Sequence, residues 1–66
     1  MKVTVNGDEQ VLDPGTTVAA LVAALGLEPR GIAVAVDGEV VTRRTWDARV
    51  LAAGERVEVL TIAQGG

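Results

Sequence analysis

The chain has no cysteine, no histidine, no phenylalanine and no tyrosine. Without cysteine there is no disulfide. Without cysteine and histidine together there is neither the usual ligand set of a structural zinc site nor a thiolate or imidazole nucleophile. A chain of 66 residues buries only about 60% of the surface its unfolded form exposes, and domains of this size often add disulfides or metals. Here the apolar core alone must hold one domain, and a hydrophobic share of 48%, nearly all Val, Ala, Leu and Ile, makes that feasible. Trp46 is the single aromatic residue and the net charge is −3. Single-stranded nucleic acid is held by stacking aromatics over a basic groove, so no nucleic-acid partner is expected. The longest apolar run, residues 18–25, is too short to cross a bilayer, so no membrane partner is expected either. The first residues already alternate like a strand instead of forming a leader, which makes the cytoplasm the expected location.

What is present reads as alternating short elements. Val3 and Val5 alternate with polar residues over positions 2–6, the pattern of a half-buried strand. Asn6-Gly7 follows, a pair suited to a two-residue hairpin turn in which both central residues take positive φ. Residues 9–13 return as a second strand with Leu12 inward, and Pro14-Gly15 stops it. Thr16 or Thr17 caps a helix running to about Leu25. Val18, Leu21, Val22 and Leu25 form one apolar stripe at helical spacing. Gly26 suits the position just past the helix, with Leu27 as its apolar partner, and Pro29 prevents continuation. Ile32, Val34 and Val36 alternate with Ala33 and Ala35 in a third strand. Asp37-Gly38 turns it back into residues 39–41. Residues 43–51 are irregular with room for a short 3₁₀ turn, and residues 56–62 form the last strand. The order predicts an α+β domain over residues 1–62, a mixed sheet of four to five strands with one main helix on one face, and a flexible tail at residues 63–66. No repeat, linker or low-complexity segment interrupts it.

No catalytic constellation emerges. Asp8-Glu9 sits on a hairpin turn, and Asp37 and Glu39 flank a turn glycine; both read as solvated acids. Arg43-Arg44 reads as a solvated face or as a clamp for an anion. Trp46 reads as a core or rim residue under the irregular segment, with a partner contact as the alternative. No glycine-rich loop of phosphate-cradling spacing joins a strand to a helix, and no metal site is expected.

Gly65-Gly66 and the last strand carry more. Two residues without Cβ make a chain end thin and permissive, able to enter a narrow channel with its terminal carboxylate open to a nucleophile. Four residues beyond the strand reach at most about 13 Å. With Val57, Val59 and Thr61 inward, Glu58, Leu60 and Ile62 face outward. Ala33 and Ala35 share that side, and the Asp37-Gly38 turn sets Val40 opposite Ala35. If the helix covers the other face, these residues form an exposed apolar patch of the kind that marks an interface.

Taken together, the chain resembles the thiamine-biosynthesis sulfur carriers, the ThiS family of ubiquitin-like (β-grasp) proteins. The resemblance runs over the whole length. It rests on Asn6 closing the first hairpin, Thr17-Val18 entering the helix, residues 41–46 (Val-Thr-Arg-Arg-Thr-Trp, similar to the family's Val-Pro-Arg-x-x-Trp), Gly54-Glu55 and Gly65-Gly66. Thr42 stands where the family often has Pro. The resemblance implies a β-grasp fold and a protein co-substrate rather than an enzyme. A ubiquitin-activating-like (ThiF-type) adenylyltransferase activates the carboxylate of Gly66 with ATP. Sulfur from a donor such as a cysteine desulfurase persulfide gives a thiocarboxylate, and a ThiG-type thiazole synthase consumes it. ATP and magnesium belong to the partner, and this chain binds no cofactor. The small subunit of molybdopterin synthase, whose tail tends to carry proline, and a ubiquitin-like protein modifier are the alternative readings.

Overall fold

The structure, a computed structural model, describes residues 1–62; the expected tail at residues 63–66 lies outside the described residues. β1 (Lys2–Val5) and β2 (Asp8–Val11) form the first hairpin, and α1 (Val18–Ala24) follows. β3 (Ile32–Val36) and β4 (Glu39–Val41) form the second hairpin, and β5 (Arg56–Thr61) is the last strand. Short 3₁₀ turns occupy Pro29–Gly31 and Arg43–Thr45. The five strands make one sheet in the order β2-β1-β5-β3-β4. β5, last in sequence, is central: parallel to β1 and antiparallel to β3.

Both hairpin turns take the backbone their sequences demand. Asn6 and Gly7 have φ of 50° and 87°, and Asp37 and Gly38 have φ of 50° and 85°. Glycine tolerates this left-handed region freely, and Asn and Asp tolerate it best among the rest. β2 ends at Val11, not at Asp13 as expected. Lys2 opposite Val11 is the last registered pair, although Leu12 and Met1 still exchange main-chain hydrogen bonds at 2.7 and 2.8 Å; Asp13 then gives its carbonyl to the N–H and hydroxyl of Thr16 and leaves the sheet.

The helix is fastened at both ends. Thr17 is the N-cap, its Oγ accepting from the Ala20 N–H at 3.1 Å. The Val18 and Ala19 N–H groups, which lack partners within the helix, donate to the carbonyls of Arg49 and Trp46. At the other end Gly26 (φ 72°) donates to Ala23 and Leu27 donates to Val22, which closes the last turn. Val18, Leu21 and Val22 are buried, and Leu25 is half-buried at the edge of the same stripe.

The core lies between α1 and one face of the sheet. Val3, Val5, Val34, Val36, Val57 and Val59 come from the strands, with Leu51 and Trp46 closing one side. Trp46 is a core residue: its side chain is buried and its indole N–H donates to the Val41 carbonyl at 2.8 Å. Thr61 lies on the inner side of β5 as expected, opposite the buried Ile32, yet it is exposed. It stands at the margin of β3 and past the end of β1 at Val5, beyond the edge of the core.

Candidate functional site

The outer face of the sheet carries a patch built by strand register. Leu60 lies opposite Ala33; Glu58 and Val40 lie on either side of Ala35. Because cross-strand partners point to one side of a sheet, these residues share a face, turned away from α1. Val40 is 74% exposed, Leu60 66% and Ile62 45%. Ala33 and Ala35 are half-buried between them, and Glu58 is an exposed charge within the patch. At the other end of this face Lys2 and Glu9 approach to 3.8 Å in an exposed pair beside Val11, which is exposed as well. The structure therefore brings Ala33, Ala35, Val40, Glu58, Leu60 and Ile62 together on one surface. Gly65 and Gly66 lie outside the described residues.

β5 leads from this patch toward the chain end and is gripped along its length. The Asn6 N–H donates to the Val57 carbonyl at 2.9 Å. The Asn6 side chain then bonds Val59 twice: Nδ2 donates to its carbonyl at 3.1 Å and Oδ1 accepts its N–H at 2.8 Å. On the opposite flank the Ile62 N–H donates to the Gly31 carbonyl at 2.7 Å. At the start of the strand Asp37 accepts the Arg56 N–H at 2.8 Å through its carboxylate, and its own N–H donates to the Arg56 carbonyl.

A second polar cluster braces the loop that feeds β5. Glu55 accepts from Arg49 at 2.8 Å and from the Ala52 N–H at 2.7 Å. The hydrogen bond from Arg49, then that from Ala52, hold the Glu55 carboxyl below its ordinary value, against the opposing effect of burial. The same bond raises Arg49. This cluster was not singled out from sequence, where Arg49 and Glu55 look like two more surface charges. Arg43 and Arg44 are exposed on their 3₁₀ turn. Among the described residues no pocket is enclosed, no group of acidic side chains is gathered for a metal, and no helix is long and apolar enough to cross a membrane.

The sequence model of the ThiS family matches residues 2–66. The chain belongs to the ThiS family. The fold agrees: the crystal structure of the thiamine biosynthesis protein ThiS from Geobacter metallireducens superimposes with a TM-score of 0.86 at 33% identity, covering all of both chains. The solution structure of a thiamine biosynthesis protein from the same organism gives 0.79 at 33% identity, covering all of this chain and 88% of that one. The five-stranded mixed sheet with one helix is thus the β-grasp arrangement of a ThiS-family protein. Two curated relatives are named thiazole synthase, one from Magnetococcus marinus at 36% identity and one from Paramagnetospirillum magneticum at 30%, each matched over all of this chain. This ThiS-family chain spans 20% of the length of each.

Proposed function

We propose that this ThiS-family chain is a sulfur carrier for the thiazole ring of thiamine, acting as a protein co-substrate through the carboxylate of Gly66. The observation that carries the reading is the path of β5. One central strand bears the exposed Leu60, is followed at once by the exposed Ile62, and leads into the segment that ends in Gly65-Gly66. A partner docked on the patch would receive that end within the tail's reach of about 13 Å.

The chemistry belongs to the partners. A carboxylate oxygen of Gly66 attacks the α-phosphorus of ATP on a ThiF-type adenylyltransferase, and pyrophosphate leaves. A persulfide sulfur, supplied by a donor such as a cysteine desulfurase, attacks the acyl carbon and AMP leaves. A thiol then cleaves the remaining S–S bond, leaving a thiocarboxylate on Gly66. ATP and magnesium sit on the activating enzyme, and this chain contributes a docking face and an acyl group. A ThiG-type thiazole synthase is the recipient favoured by the two relatives of that name. The same relatives favour thiamine over molybdopterin synthesis and over protein modification.

The test is intact mass after incubation with the activating enzyme, ATP, magnesium and a persulfide donor. Exchange of one oxygen for sulfur is expected. Adducts to lysine side chains, with no such exchange, would replace the carrier reading with that of a modifier.

A further inference from the structure

β1 and β5 run parallel, and their last registered pair is Val5 with Val57. Beyond it the chain turns away through Asn6 and Gly7. Main-chain groups alternate between the two flanks of a strand, so the next groups of β5 on the β1 side belong to Val59. A side-chain amide carries the same donor and acceptor as a peptide group. Asn6 uses both of its own on Val59, at 3.1 and 2.8 Å, and so serves as one more residue of β1 after the backbone has left. On the β3 side, pairing continues through Thr61 opposite Ile32, and the Ile62 N–H reaches Gly31. β5 is therefore held on both flanks up to Val59 and then on the β3 flank. Without the amide, the two-sided hold would end two residues earlier, at Val57, roughly 7 Å back along the strand.

We propose that Asn6 is a positioning residue that fixes the direction in which the chain leaves the sheet; the functional consequence rests on the carrier reading above. An acyl group delivered to another protein's active site reacts at a rate set by its alignment there, and a misplacement of about 1 Å can cost on the order of 100-fold. Asn6 is not part of the Leu60 patch, so its effect falls on turnover and not on docking. Asp37 supplies an internal comparison. It too is the first residue of a tight turn, with φ 50°, and its side chain also bonds β5, but at Arg56, where the strand begins.

The experiment compares Asn6→Gly with Asp37→Gly. Glycine keeps both turns, because it accepts positive φ at no steric cost, and deletes only the side-chain bonds. Steady-state sulfur loading by the activating enzyme should show kcat for Asn6→Gly down about ten- to a hundredfold, with KM for the carrier within about twofold. Asp37→Gly should change each by no more than about twofold. Amide exchange of the free proteins should show Val59 deprotected in the first variant and Arg56 in the second. If Asn6→Gly does not fold, Asn6→Asp keeps the acceptor for the Val59 N–H but sets a carboxylate oxygen against the Val59 carbonyl in place of the donor; the same kcat loss is expected from it, with Val59 N–H protection retained. Wild-type kcat in the Asn6 variant, an equal kcat loss in the Asp37 variant, or a loss expressed wholly in KM would each overturn the proposal. Absence of sulfur on the wild-type protein would instead overturn the carrier reading. In that event unchanged Val59 protection in Asn6→Gly would overturn the hold itself.

Discussion

The side chain of Asn6 and the main chain of Val59, 53 positions apart, are joined by a reciprocal pair of hydrogen bonds. The pair fastens the first turn of the chain to its last strand, and both Val59 groups lie partly buried. Asn6→Ala leaves them without these partners and places a Cβ-bearing residue of poor left-handed tolerance at φ 50°. We expect a loss of about 1–3 kcal/mol, by the usual cost of stranding buried polar groups, measured by urea unfolding. A loss below about 0.5 kcal/mol would mean that solvent satisfies Val59 just as well.

Leu21 is among the largest fully buried side chains and stands at the centre of the α1 stripe. Leu21→Ala should cost about 2–5 kcal/mol, a large part of the stability a domain of this size holds. Denaturant midpoints read the change. A cost within the surface range of about 0.5 kcal/mol would contradict the packing of α1 on the sheet.

Glu55 gives a pH dependence whose sign is fixed by its environment. Its folded-state pKa is depressed, first by the bond from Arg49 and then by the Ala52 N–H. The unfolded state therefore binds the proton more readily. The contribution is fully present above the ordinary carboxylate value and is lost as pH falls through the folded one. Both side chains are partly exposed, at 16% for Glu55 and 36% for Arg49, so solvent screening keeps the contribution small. Glu55→Gln should be less stable than wild type near neutrality, and the difference should shrink across the acid range as pH falls through the folded value. Urea midpoints across that range decide it; a constant gap at all pH would assign the loss to packing.

Much of this was legible because the signals are local. Asn6-Gly7 and Asp37-Gly38 announce turns through the backbone each pair can adopt, and Gly26 marks the helix end the same way. The alternation of Ile32–Val36 set its inner and outer faces, and through them the patch with Leu60 and Val40. Two expectations shifted at element ends: β2 stopped at Val11, with Asp13 turned to Thr16, and Thr61, on the expected side of β5, lay past the margin of the core. The grip of Asn6 on Val59 and the brace of Arg49 on Glu55 left no periodic trace. Each depends on where the fold brings a side chain, and no spacing in the sequence encodes that distance.

Leu60→Glu should separate folding from docking. Leu60 is 66% exposed on the outer face, so the free protein should lose no more than about 0.5 kcal/mol. In a complex the new carboxylate is desolvated against an apolar partner at a cost of several kcal/mol. Affinity for the activating enzyme should fall at least tenfold, about 1.4 kcal/mol, in titration calorimetry beside thermal melts. Unaltered binding by a folded variant would move the interface off this patch.

The central claim is that sulfur is carried at the end of the segment that follows β5, and fragmentation mass spectrometry of the protein loaded by the activating enzyme, ATP, magnesium and a persulfide donor tests it most directly. The account predicts one oxygen replaced by sulfur, located on Gly66, and no product from a protein lacking Gly65 and Gly66 whose melt matches wild type. Sulfur located elsewhere, or loading that survives the truncation, would contradict it.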